Sequence, residues 1–138
     1  TAYAGYQISL PVKQRIPIYY IENGNSAIFA KWLKTWKPEV ILTGNSMVID
    51  MLKEAGLSVP GDVGVATLVH SAVDKGVAGI DQLPELVGAA AMDMIVAQIN
   101  RNERGIPARP RQITTEGVWV PGKTLRKLLG ARNTVEID

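Results

Sequence analysis

Cysteine is absent from this chain of 138 residues, and histidine occurs once. Without thiols there can be no disulfide, no thiolate metal site and no cysteine nucleophile. A single imidazole leaves nothing for a second metal-ligating histidine, and the carboxylates show no ligand spacing, so neither a metal nor a cofactor is expected. No apolar run approaches the roughly 18 residues that span a bilayer, and Thr1 does not open a signal peptide. These absences fit a reducing, cytoplasmic setting with no membrane partner. A strong charge of either sign is also lacking: the net charge is +2 and the pI about 9.0, too mild to argue for nucleic acid. Eight of the fifteen Lys and Arg lie between Arg101 and Arg132. No aromatics interleave with them, so this stretch reads as a solvated basic end rather than a phosphate-binding surface. An opening of Thr-Ala-Tyr-Ala-Gly-Tyr, with no initiator Met, reads as a piece of something longer.

What is present is an ordinary globular balance, 46% hydrophobic and 20% charged, over one domain's length. Tyr3, Tyr6, Gln7 and Leu10 fall at helical spacing and Pro11 closes them, the remnant of a helix whose preceding strand is missing. Pro17 to Ile21 is a short run of strand formers, ended by Asn23-Gly24-Asn25 turn chemistry. Ser26 suits a helix cap, and Ile28, Phe29, Trp32, Leu33 and Trp36 form one apolar stripe opposite Lys31, Lys34 and Lys37. Lys37-Pro38 stops that helix.

The chain is organised around Thr43 to His70. Val40-Ile41-Leu42 is a fully apolar strand, and Thr43-Gly44-Asn45 follows its end. Ser46 caps the next helix, which winds to Gly56 as its C′ residue. The connector Gly56-Leu57-Ser58-Val59-Pro60-Gly61-Asp62 leads into a second buried strand, Val63 to Val69. After the loop His70 to Gly76, Val77 to Ile80 is extended, and Pro84 starts a long helix to about Arg101. Its centre, Val87 to Ala97, is apolar nearly all round and wants burial on more than one side. Gln112 to Val120 reads as a closing strand, and Pro121 to Thr124 as a turn before a last helix through Leu129. Strands alternating with helices imply βαβ units. The expected fold is α/β, a doubly wound, mostly parallel sheet with helices on both faces.

Ligands of open α/β sheets sit at the carboxyl ends of the strands. His70 follows such an end, so it is either a contact to a small molecule or a partly exposed loop histidine without a role. Asn45 lies at the same edge; its amide can both donate and accept, as sugar or purine groups require, and it can equally be a turn or cap residue after Gly44. Pro121-Gly122-Lys123-Thr124 echoes a phosphate loop but lacks the first glycine. No serine has nucleophile-elbow context, and Trp32, Trp36 and the methionines at helical spacing read as packing. No catalytic residue, and hence no enzyme, is expected. A small flavodoxin-like enzyme is the reading this inventory disfavours.

The connector Gly56 to Val65 resembles the Gly-Leu-Arg-Val-Pro-Glu-Asp-Val-Ser-Val run in the effector-binding domain of LacI/GalR-type bacterial transcription regulators. Ala4-Gly5-Tyr6 is similar to the first helix of that family's C-terminal subdomain, and Lys37 to Asn45 to its Pro-Asp-Ala-Val-Phe-Ala-Ala-Asn-Asp strand end. Ala78 to Gln82 resembles its Thr-Thr-Val-Arg-Gln before the long helix, and Glu116 to Val120 its closing strand. The departures are specific. Ala2 stands where the family has an effector-binding Arg, and Val69 and His70 stand where it has an Asp pair.

The resemblance implies a periplasmic-binding-protein-like fold of type I, with about one subdomain in residues 1–138. It adds Gln82 to Asn45 as a position matching an effector contact, and with His70 these are the expected binding residues. It implies a small-molecule effector, a sugar or related polar metabolite. The DNA-binding headpiece and the other subdomain would lie outside this chain, so DNA would be reached only through that headpiece. The helix over 83–102 would pack on the absent subdomain, and its apolar surface makes a homodimer the expected state. The function implied is ligand-responsive regulation of transcription. The alternative is an exported periplasmic solute-binding protein for a sugar or similar polar ligand.

Overall fold

A computed structural model describes residues 2–21, 26–107 and 109–127. The elements, in chain order, are α1 (Ala2–Ser9), a 3-10 turn (Val12–Gln14), α2 (Ser26–Trp36), β1 (Val40–Thr43), α3 (Val48–Glu54), β2 (Gly64–Thr67), β3 (Ala78–Asp81), α4 (Pro84–Asn100) and β4 (Val118–Val120). The four strands form one sheet in the order β1-β2-β3-β4. β1, β2 and β3 run parallel, with Val40 beside Gly64 and Ala66 beside Ala78; β4 closes the sheet antiparallel to β3. This is the expected α/β architecture, a mostly parallel sheet with helices.

The core follows from the apolar patterning. Phe29 and Leu33 of α2 and Val48 and Leu52 of α3 pack with Val63 and Val65, and Ile41 and Trp32 close against them. Alternation along β1 puts Ile41 on that face and Val40 and Leu42 on the other. The α2 stripe is narrower than its spacing predicts: Phe29 and Leu33 are buried, whereas Ile28 and Trp36 are exposed. Lys37 takes a left-handed conformation (φ 42) and its N–H bonds back to Leu33 O, so the helix stops where Lys37-Pro38 predicts. Gly56 (φ 78) ends α3 as expected: its N–H bonds to Lys53 O and that of Leu57 to Leu52 O, a Schellman closure that a side chain would strain. In the connector that follows, Asp62 accepts from both the N–H (2.8 Å) and the hydroxyl (2.6 Å) of Ser58.

Several expectations need correction. Pro17 to Ile21 forms no strand. A strand exists only through its ladder, and a cavity of about 540 Å3 lies between this segment and β1, lined by both. Tyr19 instead turns its ring onto Phe29 and Trp32, at centroid distances of 5.1 and 5.8 Å, and Trp32 Nε1 donates to Pro17 O. Ser46 is not the side-chain cap of α3, which begins at Val48 with no such bond; its influence instead falls on the Asp74 carboxyl, which it helps hold below its ordinary range. The strand expected over Val63 to Val69 is Gly64–Thr67, and that over Gln112 to Val120 is only Val118–Val120. In the latter, only the three residues opposite β3 find partners. The turn at Asn23-Gly24-Asn25 lies outside the described residues; of the last helix expected through Leu129, Leu125 to Lys127 are described and form no helix, and the rest lies outside.

The long helix is where expected and lacks the burial its composition asks for. α4 buries no residue, and Leu86, Val87, Met92, Ile95, Val96 and Ile99 are exposed along it.

Candidate functional site

The parallel register sets the geometry of the carboxyl edge. Thr43 lies beside Thr67, and Thr67 beside Gly79, so the chain leaves β1, β2 and β3 on one side of the sheet. The close approach there needs glycine: a Cβ on Gly79 would collide with Thr67.

Two of the strands end in the same way. The Thr43 hydroxyl donates to Asn45 O (2.8 Å) and accepts from Asn45 N (3.1 Å). The Thr67 hydroxyl does the same with Val69 O and N (3.1 and 3.2 Å). A threonine at a strand terminus thus replaces the lost ladder partners with its own side chain and folds the next residues into a tight turn.

All three expected binding residues lie along this edge. Asn45 is exposed just past β1, and its Oδ1 accepts from Met47 N (2.8 Å), which fixes the amide plane while the turn leads into α3. The turn role weighed for this residue is therefore filled by one end of its amide. His70 is half-buried after β2, its backbone N–H bonded to Ile80 O (2.7 Å). Gln82 follows β3, and its Nε2 donates to Leu68 O (3.0 Å), tying the third loop to the second. Leu68 N in turn bonds to Thr43 O (2.8 Å), tying the second to the first.

The residue that composition and spacing missed is Asp74. Its side chain is buried, with 6% exposure. It accepts from Ser71 N (2.9 Å) and Ser71 Oγ (2.7 Å). The Ser46 hydroxyl, from the loop after β1, reaches the same carboxylate. Those hydrogen bonds, that from Ser46 first and that from the Ser71 hydroxyl next, hold the carboxyl below its ordinary range; the Ser71 N–H and the charge of His70 add to them, against a smaller opposing effect of burial. Asp74 therefore closes the β2 loop through Ser71, beside His70. Ser71-x-x-Asp74 is a local turn signal legible in sequence, but its partner Ser46 lies far away in the chain.

The chemistry of this edge is that of donors and acceptors. Asn45, His70 and Gln82 supply amide and imidazole groups on loops held in place by Asp74, Thr43 and Thr67. Ser71, His70 and Asp74 do not form a relay, because Ser71 donates to the carboxylate, whereas a relay needs the imidazole between the two. Among the described residues no group of three or more His, Asp or Glu is placed to hold a metal. No described helix is long and apolar enough to cross a membrane.

Comparison with known proteins adds one finding. The model of a family described as the periplasmic binding protein-like domain matches residues 14–125, which takes in β1 to β4, all helices but α1, and the three loops just described. Comparisons with curated proteins and with solved structures give no match.

Proposed function

We propose a function from one premise: this chain belongs to the periplasmic binding protein-like domain family. On that footing it is a ligand-binding half-domain, and Asn45, His70 and Gln82 contact a small polar ligand such as a sugar or related metabolite. The observation that carries this reading is the cross-tied carboxyl edge. Three side chains with mixed donor and acceptor capacity follow three adjacent parallel strands, on loops joined by Gln82 to Leu68 and by Leu68 to Thr43.

The finer assignment is to the C-terminal part of the effector-binding domain of a LacI/GalR-type transcription regulator in the cytoplasm, supported by the Gly56 to Val65 connector. Binding would draw a second subdomain over this edge and shift the population of closed dimers. Operator affinity would then change in headpieces that lie outside these residues. The role is binding without catalysis, supported by an edge that offers hydrogen bonds but no activated nucleophile. The uncovered α4 is assigned to an interface, against that second subdomain or a second copy.

Calorimetric titration of the protein with a panel of monosaccharides and purines tests the ligand claim. One class should bind, and Asn45→Ala, His70→Ala and Gln82→Ala should each weaken it about tenfold, near the value of one lost hydrogen bond to a ligand. Unchanged affinity in all three variants would refute the assignment of the edge. The coding sequence ahead of Thr1 tests the finer claim. A helix-turn-helix segment supports the regulator, and a basic stretch followed by a short apolar run and a cleavage site would make the protein an exported solute-binding protein instead.

A further inference from the structure

Hydrogen bonds to the backbone fix which end of each amide at the carboxyl edge is left for a ligand. The Met47 N–H can be met only by an oxygen, so Asn45 turns Oδ1 to it (2.8 Å), and Nδ2 has no partner among the described residues. Leu68 O can be met only by a donor, so Gln82 turns Nε2 to it (3.0 Å), and Oε1 has no partner among the described residues. Neither amide can turn over without breaking its backbone bond. The β1 end of the edge therefore offers N–H groups and the β3 end a carbonyl oxygen. His70 follows β2 between them, and an imidazole can take either role.

Charge narrows the ligand further. Residues 43–47, 68–73 and 81–83, at the three strand ends, include no Lys or Arg. Lys75 adjoins Gly76, whose carbonyl is bonded to Lys123 N near the start of β3, at the opposite end of the sheet. The carboxylates of these loops are engaged: Asp74 is buried and accepts from Ser71, and Asp81 accepts from Leu83 N (2.8 Å). An anion placed at this edge would lose water without gaining a counter-charge.

We propose that this edge selects a neutral cyclic amide, which accepts from Asn45 and donates to Gln82. The inference rests on the edge being the ligand site, and it narrows what that site takes. A sugar hydroxyl rotates to donate or accept, so two fixed amides cannot choose among hydroxyl ligands by direction. A cyclic amide carries its C=O and N–H in set positions on one ring, and fixed partners can read them. β1 and β3 are two strand spacings apart, about 10 Å, which leaves about one ring's width once a hydrogen bond of ~3 Å is set at each end. Val69, 49% exposed in the turn after β2, offers such a ring an apolar contact.

The probes are uracil, dimethyluracil with both ring N–H groups methylated, and orotate, a uracil that carries a carboxylate; binding is read by calorimetry. Uracil should bind, and the other two should bind at least about tenfold more weakly. Asn45→Asp keeps the oxygen that Met47 N needs and replaces the free N–H groups by a second oxygen. It should leave the urea midpoint unchanged and weaken uracil about tenfold or more. Gln82→Ala should weaken uracil about tenfold and leave dimethyluracil unchanged, whereas a variant that merely loosened the loop would weaken both. Unchanged uracil affinity in Asn45→Ala, His70→Ala and Gln82→Ala alike would end the edge assignment, and this inference with it. Where those variants do weaken uracil, native affinity in Asn45→Asp, or dimethyluracil or orotate binding as tightly as uracil, would overturn the proposal and leave the edge standing. Absence of uracil binding would also overturn it, and a monosaccharide bound through the same three residues would show that the edge assignment survives.

Discussion

α2 and α4 show two ways of being an apolar helix. The eleven residues of α2 keep their apolar side chains on one stripe with lysines opposite; Phe29 and Leu33 are buried, and Phe29 stacks on Trp32 at 6.2 Å. The seventeen residues of α4 carry more apolar side chains and bury none. Hydrophobic content alone does not produce burial; it must be one-sided and face a partner. Among the described residues the α2–α3 side packs on the sheet, whereas the apolar side chains of α4 stay exposed.

That contrast can be broken first on the side that is packed. Leu52 is fully buried between α2, α3 and β2, and Leu52→Ala should lower unfolding stability by about 2–5 kcal/mol, read from urea denaturation. A loss under about 1 kcal/mol would mean that the α2–α3 core is no better packed than the surroundings of α4.

The loops at the carboxyl edge are a third case, held by polar bonds around one carboxylate. Asp74→Ala should cost roughly 1–3 kcal/mol, because the Ser71 N–H and hydroxyl lose a charged acceptor. The acid dependence has a definite sign. The folded carboxyl titrates below its ordinary value of 3.8, so its contribution is complete above that pH and fades as pH falls through the lower folded value. Asp74→Asn should therefore flatten the acid limb of the stability curve below pH 4. An unchanged limb would remove Asp74 from the account of this edge.

The smallest effect is expected in α4. Ile95→Ala and Val96→Ala, at residues 47% and 49% exposed, should change monomer stability by no more than about 0.5 kcal/mol. Met92→Lys with Ile99→Lys should instead lower any concentration-dependent association seen by sedimentation. If the alanine variants cost as much as Leu52→Ala, α4 is buried within a single copy and the contrast with α2 fails.

Much of this was legible in the sequence because the signals were local. The helix spacing through Phe29 and Leu33, the Gly56 closure, the apolar β1 and β2 and the Pro84 start all depend on residues within a few positions of one another. The positions of Asn45 and His70 followed from the rule that ligands sit at the ends of parallel strands, and that of Gln82 from a family resemblance. What could not be read was non-local. Pro17 to Ile21 has strand composition, but its pairing depends on what lies beside β1. Ser46 looks like a helix cap, and only the fold shows that α3 begins at Val48 with no side-chain cap bond. The narrow stripe of α2 is likewise non-local: Phe29 and Leu33 meet the core, whereas Ile28 and Trp36 are exposed.

The most direct test of the central claim is to map backbone amide shifts while a binding sugar or purine, found by calorimetry, is titrated into the protein. The account predicts that the largest changes fall on Asn45, His70 and Gln82 and on the Ser71 and Asp74 amides beside them. Changes centred on α4, or on the wall from Ile16 to Ile21 with the strand ends silent, would contradict it.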